Sequence, residues 1–155
     1  MPDELAGYLQ LEDDGDIARE VGYYVLRKMD RVGFDGLSHA ERVVACLTEL
    51  EMEVNNSGFD QYYWNAPGDH TLETVAALRE LGAGRTANLL VTANAAFGHG
   101  GPSRDREERW KQIDALAEDA KRRWFELDGN FDEHRDNLSA LVATYIRAHR
   151  TDFKA

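Results

Sequence analysis

Glu49 and Glu53 stand four residues apart in an apolar-periodic stretch, so a helix there places both carboxylates on one face. Helical metal centres use that spacing, but they also need a Glu-x-x-His pattern on a second helix. No such pattern accompanies this pair, and a solvated face or hydrogen bonds within the core account for it better. Asp128, Asn130 and Asp132 match the first three coordinating positions of a calcium loop. Glu133 then stands where glycine is needed and Ser139 where the closing glutamate is needed, so these residues read as a turn between helices. Gly98, Gly100 and Gly101 precede Arg104 and Arg106, without the strand or the Lys-Ser/Thr signature of a phosphate cradle. Asp69 and His70 are neighbours in sequence only; a cap residue beside an exposed histidine is the simpler reading. Cys46, the single cysteine, lies among Val43, Val44, Ala45 and Leu47, the setting of a buried thiol rather than a nucleophile. These residue types give no nucleophile, no metal ligand set and no cofactor signature. The expectation is a protein that is not an enzyme.

The charge is more informative. The 155 residues carry a net charge of −11, which argues against direct binding to nucleic acid or to an anionic membrane. Two readings of the acid remain: solvated helix faces that keep the chain soluble, or a surface for a basic partner protein. Glu12, Asp13, Asp14, Asp16, Glu20, Glu49, Glu51 and Asp60 are the candidate partner-binding residues, since acid is concentrated in the first 60 positions. The N-terminus lacks a basic segment followed by an apolar run, and no apolar run is long enough to span a bilayer, so a cytoplasmic location is expected.

The elements that position these residues are helical. Residues 1–15 form an acidic segment without sustained period, followed by a helical domain over 16–152. Ile17, Val21, Val25 and Met29 step by four along a first helix to about Val32, with Asp13, Asp14 or Asp16 as its cap. Ser38 and Glu41 have capping-box spacing ahead of Val43, Leu47, Leu50 and Val54. Gly58 should stop that helix, and Phe59 to Asn65 should make a short aromatic turn. A helix capped by Asp69 or Thr71 should carry Leu72, Val75, Ala76, Leu78 and Leu81 as its apolar positions, and another should run over 85–97. Trp110, Ile113, Ala117, Ala120, Trp124 and Leu127 step by three and four, predicting one helix over 105–127 closed at Asp128-Gly129-Asn130. A last helix is expected over 132–150. No strand pattern appears, so the predicted fold is all-α, a single compact domain of about seven helices.

The central stretch carries a specific pattern. Glu51, Glu53 and Asn56 end a helix, Gly58 turns, Phe59 follows, then Gln61, Tyr62, Tyr63 and Asn65, and later Glu73, Thr74, Ala77, Leu78, Leu81, Gly82 and Ala83. In these residues the chain resembles a family of small acidic bacterial proteins whose best-known member is a DNA mimic. Ser57 stands where the family pattern has the first of two glycines. The resemblance implies an all-helical homodimer and, for that member, surface carboxylates standing in for DNA phosphates against a basic DNA-binding protein such as a transcription factor. Two alternatives stay open: a small-molecule or enzymatic pocket built from Glu53, Asn56, Gly58, Phe59, Gln61, Tyr62 and Asn65, and an immunity or antitoxin-like protein directed at a basic toxin.

Overall fold

A computed structural model describes residues 2–134 and 136–155. Among the described residues there are eight α-helices and no strand, so the fold is all-α as the patterning predicts. In chain order they are α1 (Pro2–Tyr8), α2 (Asp14–Val32), α3 (His39–Trp64), α4 (Thr71–Glu80), α5 (Gly84–Asn94), α6 (Arg106–Asp114), α7 (Glu118–His134) and α8 (Leu138–Ala148). No helix among the described residues is long and apolar enough to cross a membrane. Contacts divide the chain into two compact units, residues 1–48 with 137–155, and residues 49–136.

In the first unit α2 packs against α8 and α1 packs on α2. The N-terminal segment, expected to be irregular, is helical because Leu5 and Leu9 step by four and are both buried. Asp13 is the α2 cap: its carboxylate accepts from the Asp16 amide at 2.9 Å. The capping box of α3 forms as its spacing predicts. Ser38 Oγ accepts from the Glu41 amide (3.1 Å), and Glu41 Oε1 accepts from the Ser38 amide (2.8 Å). Glu41 does more than cap, because Lys28 Nζ donates to both of its oxygens, at 3.0 and 2.8 Å. Both side chains are buried, and Lys28 also donates to the Lys154 carbonyl at 3.1 Å, tying the C-terminal residues to α2 and α3. Burial works to raise the Glu41 pKa, but Lys28 and the Ser38 and Lys154 amides outweigh it and hold the carboxyl below its ordinary range.

The second unit holds the remainder of α3 with α4 to α7. Several expectations change here. The 105–127 helix is two helices, broken over 115–117, where Ala-Leu-Ala carries no breaker residue. Asp128-Gly129-Asn130 does not end a helix: α7 continues to His134, and with it Asp128, Asn130 and Asp132 lie on a helix rather than in a turn. One glycine costs a helix only about 1 kcal/mol. The stripe of Trp124, Leu127 and Phe131, each at most 2% exposed, outweighs it. Residue 135, inside the expected last helix, lies outside the described residues; α8 starts at Leu138, where Asn137 accepts from the Ala140 amide at 3.2 Å. Finally, neither Asp69 nor Thr71 caps α4, whose first turn has no side-chain cap. Leu72, one of its expected apolar positions, is 54% exposed.

Candidate functional site

The pattern over Glu53 to Asn65 is a joint inside α3. Gly58 has φ +83°, a region L-residues avoid, and the helix resumes at Phe59 in a new direction. A Cβ at Gly58 would lie 2.5 Å from the Asp128 Oδ2 atom, so the α7 carboxylate sits against bare backbone. The Phe59 amide, freed by the interruption, donates to Asp128 Oδ1 at 2.8 Å. The carboxylate thus caps the resumed helix from outside its own element, where the helix dipole also favours a negative charge. Burial pushes the Asp128 carboxyl up from its usual range and nearby Asp60 adds to this, against the lowering effect of the Phe59 amide.

Beyond the joint the aromatic residues fill the core of this unit. Phe59, Tyr62 and Tyr63 are completely buried. Tyr63 stacks on Trp124 (4.8 Å between centroids) and meets Phe97 edge-on (4.9 Å), while Phe59 meets Phe131 edge-on at 6.1 Å. Burial first, then the neighbouring Tyr62, pushes the Tyr63 phenol well above its ordinary pKa, which keeps it a donor, and it donates to Asn94 Oδ1. Asn65 Nδ2 reaches back across the joint to both Glu53 oxygens, each at 3.3 Å. Asn56 and Gln61 are exposed. Of the candidate pocket set, then, Gly58, Phe59 and Tyr62 are inside the fold, Glu53 and Asn65 bond each other, and two amides face solvent.

Arg109 on α6 is the residue that sequence reasoning missed. It reads as one charge among many on a mixed-sign helix, yet it is 0% exposed. Its Nε donates to the Tyr63 carbonyl (2.6 Å), and Nη1 donates to the carbonyls of Ser103 (2.9 Å) and Arg104 (3.3 Å). Nη2 donates to the Asn65 carbonyl (3.0 Å) and to Asp69 Oδ1 (2.7 Å). All five guanidinium N–H groups are therefore used. Gly68 makes room, since a Cβ there would lie 3.0 Å from Nε and 2.9 Å from the Tyr62 carbonyl. Burial works to raise the Asp69 pKa, but Arg106 and Arg109 overcome it and hold the carboxyl low. Asp69 is thus an ion-pair partner rather than a cap. The only sequence signal for Arg109 is its position four residues ahead of Ile113, on the buried face.

The candidate acidic residues fall into two settings. In the first unit Asp13 is a cap and Asp14 pairs with Arg147 at 2.6 Å. Arg19 pairs with Asp16 at 2.9 Å and with Glu20 at 3.4 Å, and the Glu12 carbonyl accepts from Arg147 at 2.7 Å. In the second unit Glu49 and Glu51 are half-exposed on α3 and Asp60 is exposed. No Lys or Arg occurs between Arg42 and Arg79, and residues 49–136 hold 18 Asp and Glu against 10 Lys and Arg. Among the described residues no group of three or more His, Cys, Asp or Glu is placed to hold a metal ion. A groove of about 530 Å³ lies between α4 and α5, and none of the Glu53–Asn65 residues lines it.

The chain is thus all-helical and acidic, with the Gly58 joint capped by Asp128 and the residues after it held by the buried Arg109. The chain belongs to the DMP19-like protein family, whose model matches residues 35–149, a span that contains the joint, Asp128 and Arg109. No curated protein and no solved structure matches it.

Proposed function

We propose that this protein is a non-enzymatic interaction protein whose acidic α3 surface docks on a basic partner, and that it does so as a DNA mimic at the partner's DNA-binding face. The observation that carries this reading is the surface of α3 from Glu49 onward. Glu49, Met52, Glu53 and Asn56 share one face at i, i+3, i+4 and i+7 spacing, Glu51 lies on another side of the same helix, and Asp60 follows the Gly58 joint. The segment from Glu49 to Asp60 carries four carboxylates and no Lys or Arg in its sequence, with Glu53 accepting from Asn65. Met52 and Trp64, 41% and 37% exposed, supply the apolar contacts that a protein interface uses beside charge. Membership of a DNA-mimic family supports the finer reading. A groove built to neutralise phosphates attracts carboxylates by the same long-range field, with an association that weakens as salt screens it.

The test is retention of lysate proteins on the immobilised chain with stepped salt elution, beside the triple variant Glu49→Gln, Glu51→Gln, Asp60→Asn. The expected result is a basic DNA-binding protein that elutes at moderate salt, is displaced by duplex DNA, and is lost on the variant. Equal retention by parent and variant would refute the α3 assignment. A basic toxin eluting in its place would refute DNA mimicry and leave the acidic docking surface standing.

A further inference from the structure

The groove between α4 and α5 is independent of the acidic surface and has a different chemistry. Leu72, Val75, Ala76 and Arg79 line one wall at i, i+3, i+4 and i+7 of α4; Val91, Asn94 and Ala95 line the other, and the 98–101 loop closes one end. Leu72 and Val91 are 54% and 40% exposed, so the apolar floor is open to solvent. The basic side chains lining it are Arg79 and His99, within a unit rich in acid. Asn94 is the built element. Its Oδ1 accepts from Tyr63, which is completely buried, and from Thr71 Oγ1 at 2.9 Å. Those two bonds fix the amide and leave its N–H groups as the donors that Asn94 offers to the groove. The Thr71–Asn94 bond also sets the layout. Asn94 and the 98–101 loop lie at the Leu72 end, and Arg79 lies seven residues further along α4, about 10 Å away at 1.5 Å per residue.

We propose that this groove binds a small carboxylic acid with an apolar body and a second hydrogen-bond acceptor at its far end. The carboxylate sits on the Arg79 guanidinium, which presents a planar fork of donors to it. The body covers Leu72, Val75, Ala76 and Val91, and the far acceptor takes the Asn94 amide N–H. A ligand of this class joins an arginine at one end of an apolar floor to a preorganised amide at the other, the composition of small-molecule sites.

Amide chemical-shift titration of the full chain with octanedioate, octanoate and octan-1-ol tests this. Saturable shifts over residues 72–79 and 91–101 are expected with octanedioate, weaker ones with octanoate and none with octan-1-ol. Arg79→Gln, on an exposed site, should weaken both acids at least tenfold. Asn94→Asp keeps the acceptor for Tyr63 and Thr71 but removes the donors, and should erase the advantage of octanedioate over octanoate. Circular dichroism verifies that this variant is folded, and Arg79→Gln stands as a test without it. Absence of saturable shifts, equal affinity for alcohol and acid, or unchanged affinity in Arg79→Gln would overturn the proposal.

Discussion

Replacing Arg109 by methionine isolates the contribution of a guanidinium that serves mainly main-chain acceptors. Four of its five bonds go to carbonyls, of Tyr63, Asn65, Ser103 and Arg104, and one goes to Asp69. Asp69 keeps Arg106 at 2.9 Å, so the substitution does not strand its charge. The four carbonyls, one buried and three part-buried, lose their donors to a fully buried guanidinium, at about 1 kcal/mol each, for a loss of up to about 4 kcal/mol. In a chain of this size that lowers the melting temperature by roughly 8–16 °C. Arg109→Lys keeps the charge but offers three donors from one point instead of five from a plane, and should lose about 2 kcal/mol. Urea unfolding followed by tryptophan fluorescence reads both, since Trp64, Trp110 and Trp124 all lie in the second unit. A stability within about 1 kcal/mol of the parent for Arg109→Met, or full retention by lysine, would refute the carbonyl-clamp account.

Gly58→Ala meets two obstacles, the positive φ and the Asp128 carboxylate 2.5 Å from the new Cβ. It should cost about 1–3 kcal/mol from backbone conformation alone. A second change, Asp128→Ala, should recover the part due to the clash, and a recovery of nothing would show that the contact is irrelevant. Asp128 also has a pH signature, because its folded-state pKa is raised. The protonated form is the one folding favours, so its contribution is present below the unfolded value near 4 and is lost as pH rises through the folded one. Asp128→Asn keeps the acceptor for the Phe59 amide and should be more stable than the parent at neutral pH, with that advantage vanishing at acid pH in melts across pH 3 to 7. A variant less stable than the parent at pH 7 would contradict the burial and Asp60 repulsion assigned here.

The helices that announce themselves are those whose signals are local. Ser38 with Glu41, and Ile17 to Met29 stepping by four, need nothing from elsewhere in the chain, and α2 and the start of α3 form where they indicate. The aromatic residues after Gly58 were legible as a cluster, either a turn or a pocket lining, and it is the packing against α7 that buries Phe59, Tyr62 and Tyr63. What stays hidden is set by partners distant in sequence. Asp128 looks like turn chemistry until the Phe59 amide, 69 residues away, is seen to use it. Arg109 looks like solvated charge until Tyr63 and Asn65 supply its acceptors, 46 and 44 residues away. Leu72 looks like core because its period is right, and only the open groove beside it explains its exposure. Composition points to a basic partner without indicating which acids are already engaged; the pairing of Asp14 with Arg147 joins residues 133 apart.

That separation has a consequence for biosynthesis. The second unit is one uninterrupted segment, residues 49–136, whereas the first is split between residues 1–48 and 137–155. On the ribosome the uninterrupted segment is available to collapse while α8 is still in the exit tunnel. The first unit must wait, holding Ile17, Val21 and Val25 exposed until residues 137–155 emerge and close its long loop. Synthesis of α8 and the residues after it, rather than of α2, is then the event that completes the first unit. A stop codon between residues 149 and 154 would strip Lys28 of the Lys154 carbonyl while leaving the second unit's sequence whole.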